Sequence, residues 1–255
     1  MKMPPGLKMA FKLYYRAEWV KFEAEGEKWM KKLEELLSDD SAWPSLLEAA
    51  QRAENEVRIL GADRRRAEET LVGLQTSDRT TLGAVALNSG GLWIDRGWLK
   101  VLGCGHDSIA GDLRSWNGLG PDPLDLEFEP EGYVIAAYDV AGGFFAINNG
   151  AFNDRTPNVY YFAPDTLEWE DTEKGYTDFL AWAMDGDLEQ YYATFRWKGW
   201  QDDIRALQGG QGMSIVPFPW SKESRDANKA VRTPIAMTEL WDRQQEMSRQ
   251  TTKPR

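Results

Sequence analysis

The middle of this chain is built from short apolar runs separated by glycine and asparagine. Tyr138-Asp139-Val140-Ala141 leads into Gly142-Gly143, and Phe144-Phe145-Ala146-Ile147 follows. Asn148-Asn149-Gly150 breaks the pattern, and Asn158-Val159-Tyr160-Tyr161-Phe162 resumes it. Aromatic and β-branched runs bounded by turn residues predict antiparallel strands joined by hairpin-type connections. The expected strands cover 132–139, 143–147 and 158–162. Gly142 and Gly143 should lie at or beside a turn, and Phe145 and Ile147 should share one face by the two-residue period.

Elements of both kinds flank this meander. Ser38 to Ser41 is a helix-start signal with Pro44 in the first turn, and the helix should run to about Glu54. Val57–Leu60 reads as a strand. A helix near Arg64–Leu74 should be capped by Asp63. Gly83–Asn88, Leu92–Asp95 and Trp98–Leu102 read as strands, the last two broken at Arg96-Gly97. Residues 103–131 form a long irregular connection, of a length that often carries function. Glu168–Glu170 continues the meander, and Tyr176–Met184, Leu188–Phe195 and Trp197–Leu207 read as helices. Met213–Pro217 reads as a strand and Thr233–Arg249 as a final helix. The fold class is therefore α+β, a central antiparallel or mixed sheet flanked by helices, with extra helices toward the C-terminus. Residues 1–40 read as a Lys-rich helical extension, 41–250 as a single domain and 251–255 as a polar tail.

Charge and cysteine usage narrow the function classes. The net charge is −11 and the pI about 4.8. Phosphate backbones need clustered Lys and Arg, so nucleic acid is disfavoured as a partner. A basic protein partner is compatible with the charge. A single cysteine, Cys104, permits no internal disulfide and fits a reducing compartment, so a cytoplasmic location is expected. No apolar run is long enough for a membrane span, and the N-terminus lacks a signal-peptide pattern.

Motifs of chemistry are scarce. Gly103-Cys104-Gly105 lacks the third glycine and the helix that a dinucleotide loop requires. His106 is the only histidine, which argues against triads and His-rich zinc sites and leaves a loop residue with local hydrogen bonds. No cofactor or metal is expected. Asp125, Glu127 and Glu129 alternate with Leu126 and Phe128. If extended, they share one face, either a solvated acidic surface or a docking surface for a basic partner. Asp139 and Asn148-Asn149-Gly150 have a structural reading as turn residues. The alternative is a polar rim around an aromatic wall of Trp93, Trp98 and Trp116. Twelve tryptophans supply ample aromatic surface for a core, a groove or both.

Several longer runs carry a resemblance. Ser89-Gly90-Gly91-Leu92-Trp93-Ile94-Asp95-Arg96-Gly97-Trp98-Leu99 continues into Leu102-Gly103-Cys104-Gly105-His106. Gly142 to Asn148, Val159 to Trp169, and Arg196-Trp197-Lys198-Gly199-Trp200 complete the set. Over most of residues 41–250 the chain resembles the bacterial domain-of-unknown-function family 2625. More distantly, the order of pieces is similar to the SUKH superfamily: a strand ending at a glycine pair, an apolar strand, a Val-Tyr-Tyr strand, then a helix such as Tyr176–Leu180. That likeness implies an α+β, often acidic immunity protein that neutralises a toxin by binding it. The present chain is larger, with added helices after Leu188.

The leading expectation is a non-enzymatic protein-binding module, of immunity or regulatory type, acting on a basic partner such as a toxin. One alternative is an enzyme built from Asp95, His106 and Asp139 around the 103–131 loop. Another is a small-molecule sensor using the tryptophan-lined surface.

Overall fold

The computed structural model describes residues 30–119, 132–152, 156–219, 221 and 227–251. Seven strands lie side by side in chain order, each antiparallel to the next. They are β1 (Val57–Leu60), β2 (Gly91–Ile94), β3 (Leu99–Leu102), β4 (Tyr133–Asp139), β5 (Phe144–Asn148), β6 (Asn158–Phe162) and β7 (Trp169–Gly175). The meander is an up-and-down sheet, and the fold is α+β. Phe145 and Ile147 pack into the same core, as the two-residue period requires.

The sheet carries a different core on each face. Leu92, Ile94, Leu99, Val101, Phe145, Val159 and Tyr161 belong to one. Helices α2 (Trp43–Arg52), α4 (Thr81–Asn88), α5 (Tyr176–Asp185), α6 (Leu188–Tyr191) and α7 (Trp200–Ala206) contribute buried residues to that core or pack at its margin. The other contains Leu102, Ile135, Tyr138, Phe144 and Phe162. It is closed by Met237, Leu240 and Trp241 of α8 (Met237–Thr251) and by Ile109, Leu113 and Trp116 of the segment after β3. Trp241 meets Phe144 edge-on at 4.5 Å, a favoured aromatic geometry.

One register line crosses the whole sheet. Arg58, Trp93, Lys100, Tyr138, Phe144, Phe162 and Trp169 are successive Cα partners, one from each strand. The line is cationic and aromatic at its β1 end and wholly aromatic from Tyr138 onward. Arg58 lies over the Trp93 ring at 5.6 Å. Lys100 Nζ lies 5.7 Å from the same ring and 5.8 Å from Tyr138.

Helix α3 (Arg64–Leu74) is capped as expected, with Asp63 Oδ1 accepting from the Arg66 N–H at 2.9 Å. Helix α1 (Leu33–Leu36) ends the segment read as an extension. Leu36 is buried, and its carbonyl accepts from Asp78 N at 3.2 Å, so this end of the segment packs against the body. The irregular connection after β3 is pinned by Asn117. Its side chain donates to Leu113 O and Ile135 O and accepts from Ile135 N, each near 2.9 Å. That supplies partners where β4 bulges against β5.

Two expectations about elements are corrected. Gly83–Asn88 lies in helix α4, started by Thr80 Oγ1 accepting from Gly83 N at 3.0 Å. Four consecutive residues, Gly83–Ala86, are buried, so the run has no polar face to reveal a helical period. The segment read as the start of the last helix instead forms β9 (Val231–Ala236), paired with β8 (Gln211–Val216) in a separate two-stranded sheet. Pro234 sits opposite Met213 there, a tolerable place because this strand has only one neighbour.

Candidate functional site at Trp93

The turn from β2 to β3 spans Asp95-Arg96-Gly97-Trp98. Gly97 N donates to Ile94 O at 3.2 Å, and the residues between them, Asp95 and Arg96, both have left-handed φ values of 50° and 56°. Such a turn matches the right-handed twist of the flanking strands. Gly97 has φ +85°, and a Cβ there would stand 3.3 Å from the Trp93 ring, so the indole lies close against this glycine. Asp95 N donates to Glu56 O at 2.8 Å, which ties the turn to the start of β1.

Beside this turn is a groove of about 250 Å³. Glu56, Arg58, Trp93, Arg96 and Gly97 form its sheet side, and Gln201, Ile204, Arg205 and Leu207 form its helix side. Three guanidinium groups therefore face one carboxylate, in a chain whose total charge is −11. Arg58 makes no ion pair among the described residues and rests on the Trp93 ring. Arg96 is 3.9 Å from Glu56, a loose pair, and Arg205 is paired with Asp202 at 2.8 Å in full solvent. Exposed pairs of this kind contribute little and exchange readily for a better anion.

Next to the groove lies Lys100, buried beneath Trp93 and Tyr138 with a 3.4 Å contact to Gln211 O. Burial brings its pKa down to about 8.

At the same turn, Asp95 accepts a hydrogen bond from Arg196 Nη2. The Arg196 guanidinium is buried among the rings of Trp98, Tyr192 and Trp200, at 4.9, 5.3 and 4.3 Å. Its Nη1 reaches Glu189 at 2.9 Å. Arg196 Nε, Trp98 Nε1 and Tyr192 Oη have no hydrogen-bond partner among the described residues, so ring stacking and the Asp95 and Glu189 carboxylates hold the cation.

Asp139 ends β4 in a separate buried cluster. It accepts from Gly143 N at 2.9 Å and from the Tyr161 hydroxyl at 2.8 Å. Burial raises its pKa to about 6 despite those two bonds. The Tyr161 phenol is pushed well above its ordinary value by burial and by the neighbouring carboxylate, so it remains a donor.

The residues singled out from the sequence are therefore dispersed. Trp93 lines the groove. Trp98 and Trp116 are closed from solvent in the two different cores, so the three do not form one wall. The sheet stands between the two cores. His106 Nδ1 accepts from Ser108 N at 3.1 Å, a local loop contact. Asp95, His106 and Asp139 each have other partners, and none is hydrogen-bonded to another. Asp125, Glu127 and Glu129 lie outside the described residues. Arg58, Arg96 and Arg205 were missed. Arg58 shares strand parity with Trp93, but that alignment is visible only once the register is known. Among the described residues, no group of three or more His, Cys, Asp or Glu is placed to hold a metal, and no helix is long and apolar enough to cross a membrane.

The family profile described as "Protein of unknown function DUF2625" matches residues 33–240. The chain belongs to the DUF2625 family. Its match starts at Leu33, the first residue of α1. The uncharacterized protein YbfG of Escherichia coli (strain K12) is 37% identical over 227 residues, covering 88% of this chain and 100% of YbfG. An uncharacterized protein of Haemophilus influenzae (strain ATCC 51907 / DSM 11121 / KW20 / Rd) is 35% identical over 193 residues, covering 74% of this chain and 82% of that protein. No solved structure matches significantly.

Proposed function

We propose that this DUF2625 member is a non-enzymatic binding module whose recognition site is the groove at Trp93, and that it captures an anionic group there. The observation that carries the reading is the local reversal of charge: Arg58, Arg96 and Arg205 against Glu56, on a chain of net charge −11. Guanidinium groups present planar pairs of donors that suit phosphate and carboxylate. Capture of a small anion corresponds to the sensor alternative, a small-molecule site on the tryptophan-lined surface, and not to a protein-binding module acting on a basic partner. Recognition then lies in a cationic groove built on the sheet and not in the acidic residues of the long loop. A cytoplasmic setting accords with Cys104, the sole cysteine, which is buried and unpaired.

The test is a thermal-shift titration with inorganic phosphate and pyrophosphate at constant ionic strength. The expected result is a dose-dependent rise in Tm that disappears when Arg58, Arg96 and Arg205 are all replaced by Gln. A rise of equal size in the triple variant, or no rise in the wild type, overturns the proposal.

A further inference from the structure

We infer that the groove takes a compact anion bearing one flat ring system, of the nucleoside monophosphate class, with the base against Trp93 and the phosphate between Arg96 and Arg205. This rests on the anion-binding reading above and specifies its ligand.

Size sets the first limit. A volume of about 250 Å³ lies just under the ~300–1,000 Å³ range of pockets for drug-sized ligands, and it suits a small metabolite. The lining sets the second. Trp93 is half-buried and held in place, with Gly97 against its ring and Arg58 and Lys100 over it. The exposed Arg58 side chain can swing off the indole, and the ring face it uncovers at the edge of the groove is a stacking surface, on which an aromatic side chain holds a base at ~1–3 kcal/mol.

Charge placement sets the third. Arg96 projects from a turn on the sheet and Arg205 from α7, so the two guanidinium groups approach the groove from opposite walls. Their present partners, Glu56 at 3.9 Å and the exposed Asp202, are weak competitors for a dianion. Those same carboxylates on the rim repel an extended polyanion. A nucleic acid strand would have to run past Glu56 and Asp202, whereas a single phosphate fits between the arginines.

The experiment is isothermal titration calorimetry on the full chain with adenosine 5′-monophosphate, adenosine and inorganic phosphate. The monophosphate should bind at least about tenfold more tightly than either fragment, because it uses the ring and both arginines together. Arg96→Gln and Arg205→Gln should each weaken the monophosphate by about tenfold and leave adenosine unchanged. Trp93→Leu should weaken adenosine and the monophosphate by the same factor. Both arginines are exposed, so their variants report on binding even if the tryptophan variant folds poorly. Phosphate binding as tightly as the monophosphate, with sensitivity to both arginines, overturns the nucleotide assignment and leaves the anion site standing. Absence of binding by all three probes, or binding indifferent to both arginines, overturns the two together.

Discussion

Asp95 and Arg96 are consecutive residues in one left-handed turn, yet the first closes onto the buried guanidinium of Arg196 while the second lines the groove beside Glu56. This turn thus joins the candidate site to the most heavily caged cation of the core. Arg196 is held on one side by Trp98 and Trp200 and on the other by Asp95, so α7 and the β2–β3 turn share an anchor.

That anchor should be strongly asymmetric in its energetics. The Asp95 side chain is 14% exposed and the Glu189 side chain 80%. Glu189→Ala should therefore cost less than about 0.5 kcal/mol, as for an exposed pair. Asp95→Asn leaves the buried guanidinium with only the exposed Glu189 as counter-charge and should cost about 3 kcal/mol, and Arg196→Ala as much or more. Urea midpoints of the three variants provide the comparison, and equal costs for Asp95→Asn and Glu189→Ala would contradict it.

Gly143 should tolerate no side chain. A Cβ there would fall inside contact distance of Asp139 Oδ2 and the Tyr161 hydroxyl, both of them buried and bonded to each other. Gly143→Ala should destabilise by about 2–4 kcal/mol, the range for overpacking with a broken buried hydrogen bond. Thermal unfolding of this variant beside Gly150→Ala separates space from turn strain. Gly150 has φ +105° but nothing near its would-be Cβ, so only strain applies there.

Asp139 should make stability depend on mild acidity. Its pKa is about 6 in the folded chain against an ordinary 3.8, because burial disfavours the charge. Between those values the folded protein keeps a proton that the unfolded chain has released. Stability therefore falls as pH rises through this window and is level above it, by roughly 3 kcal/mol in all. In Asp139→Asn this component is absent. Chemical denaturation of both proteins across the window should show the wild type losing ground to the variant as pH rises.

Lys100 should act at the alkaline end with the opposite slope. Its pKa is about 8 when folded and 10.5 ordinarily, so within that interval the unfolded chain holds the extra proton and stability increases with pH. Below the interval the buried ammonium is a constant cost, partly offset by the Trp93 and Tyr138 rings. Lys100→Met should be more stable than wild type near neutrality by about 1–2 kcal/mol, and the gap should close as pH approaches the ordinary lysine value. A gap that is constant with pH would show that the ammonium carries no desolvation cost.

The sheet was the most legible part of the chain. The runs at Val57, Leu92, Leu99, Tyr133, Phe144 and Asn158 are short, rich in β-branched and aromatic residues, and closed by turn residues, so local pattern and tertiary structure agree. Asp63 as a cap was legible for the same reason, since its hydrogen bond reaches only three residues along. Helix α4 was not, because complete burial erases the alternation that marks a helix. Strand β9 was not, because its conformation is set by pairing with β8, some twenty residues away, and Pro234 argues locally against it. The groove was least legible of all. Arg58, Arg96 and Arg205 come from a strand, a turn and a helix, and nothing in their spacing connects them. Trp98 and Trp116 read as aromatic surface from the sequence, but residue type alone does not tell a buried indole from an exposed one.

The register line from Arg58 to Trp169 gives the sheet a built-in check on its own assembly. Every strand contributes one member, and every strand alternates faces, so a slip of a single residue anywhere transfers one member to the wrong side. A slip at β3 would drive the Lys100 ammonium into the aliphatic packing around Val101 and Ile94, and one at β5 would take Phe144 away from Trp241. Misalignments that look alike to a meander of short strands become unequal in energy. The cation that weakens this sheet near neutral pH is thus also a mark against its mispaired competitors.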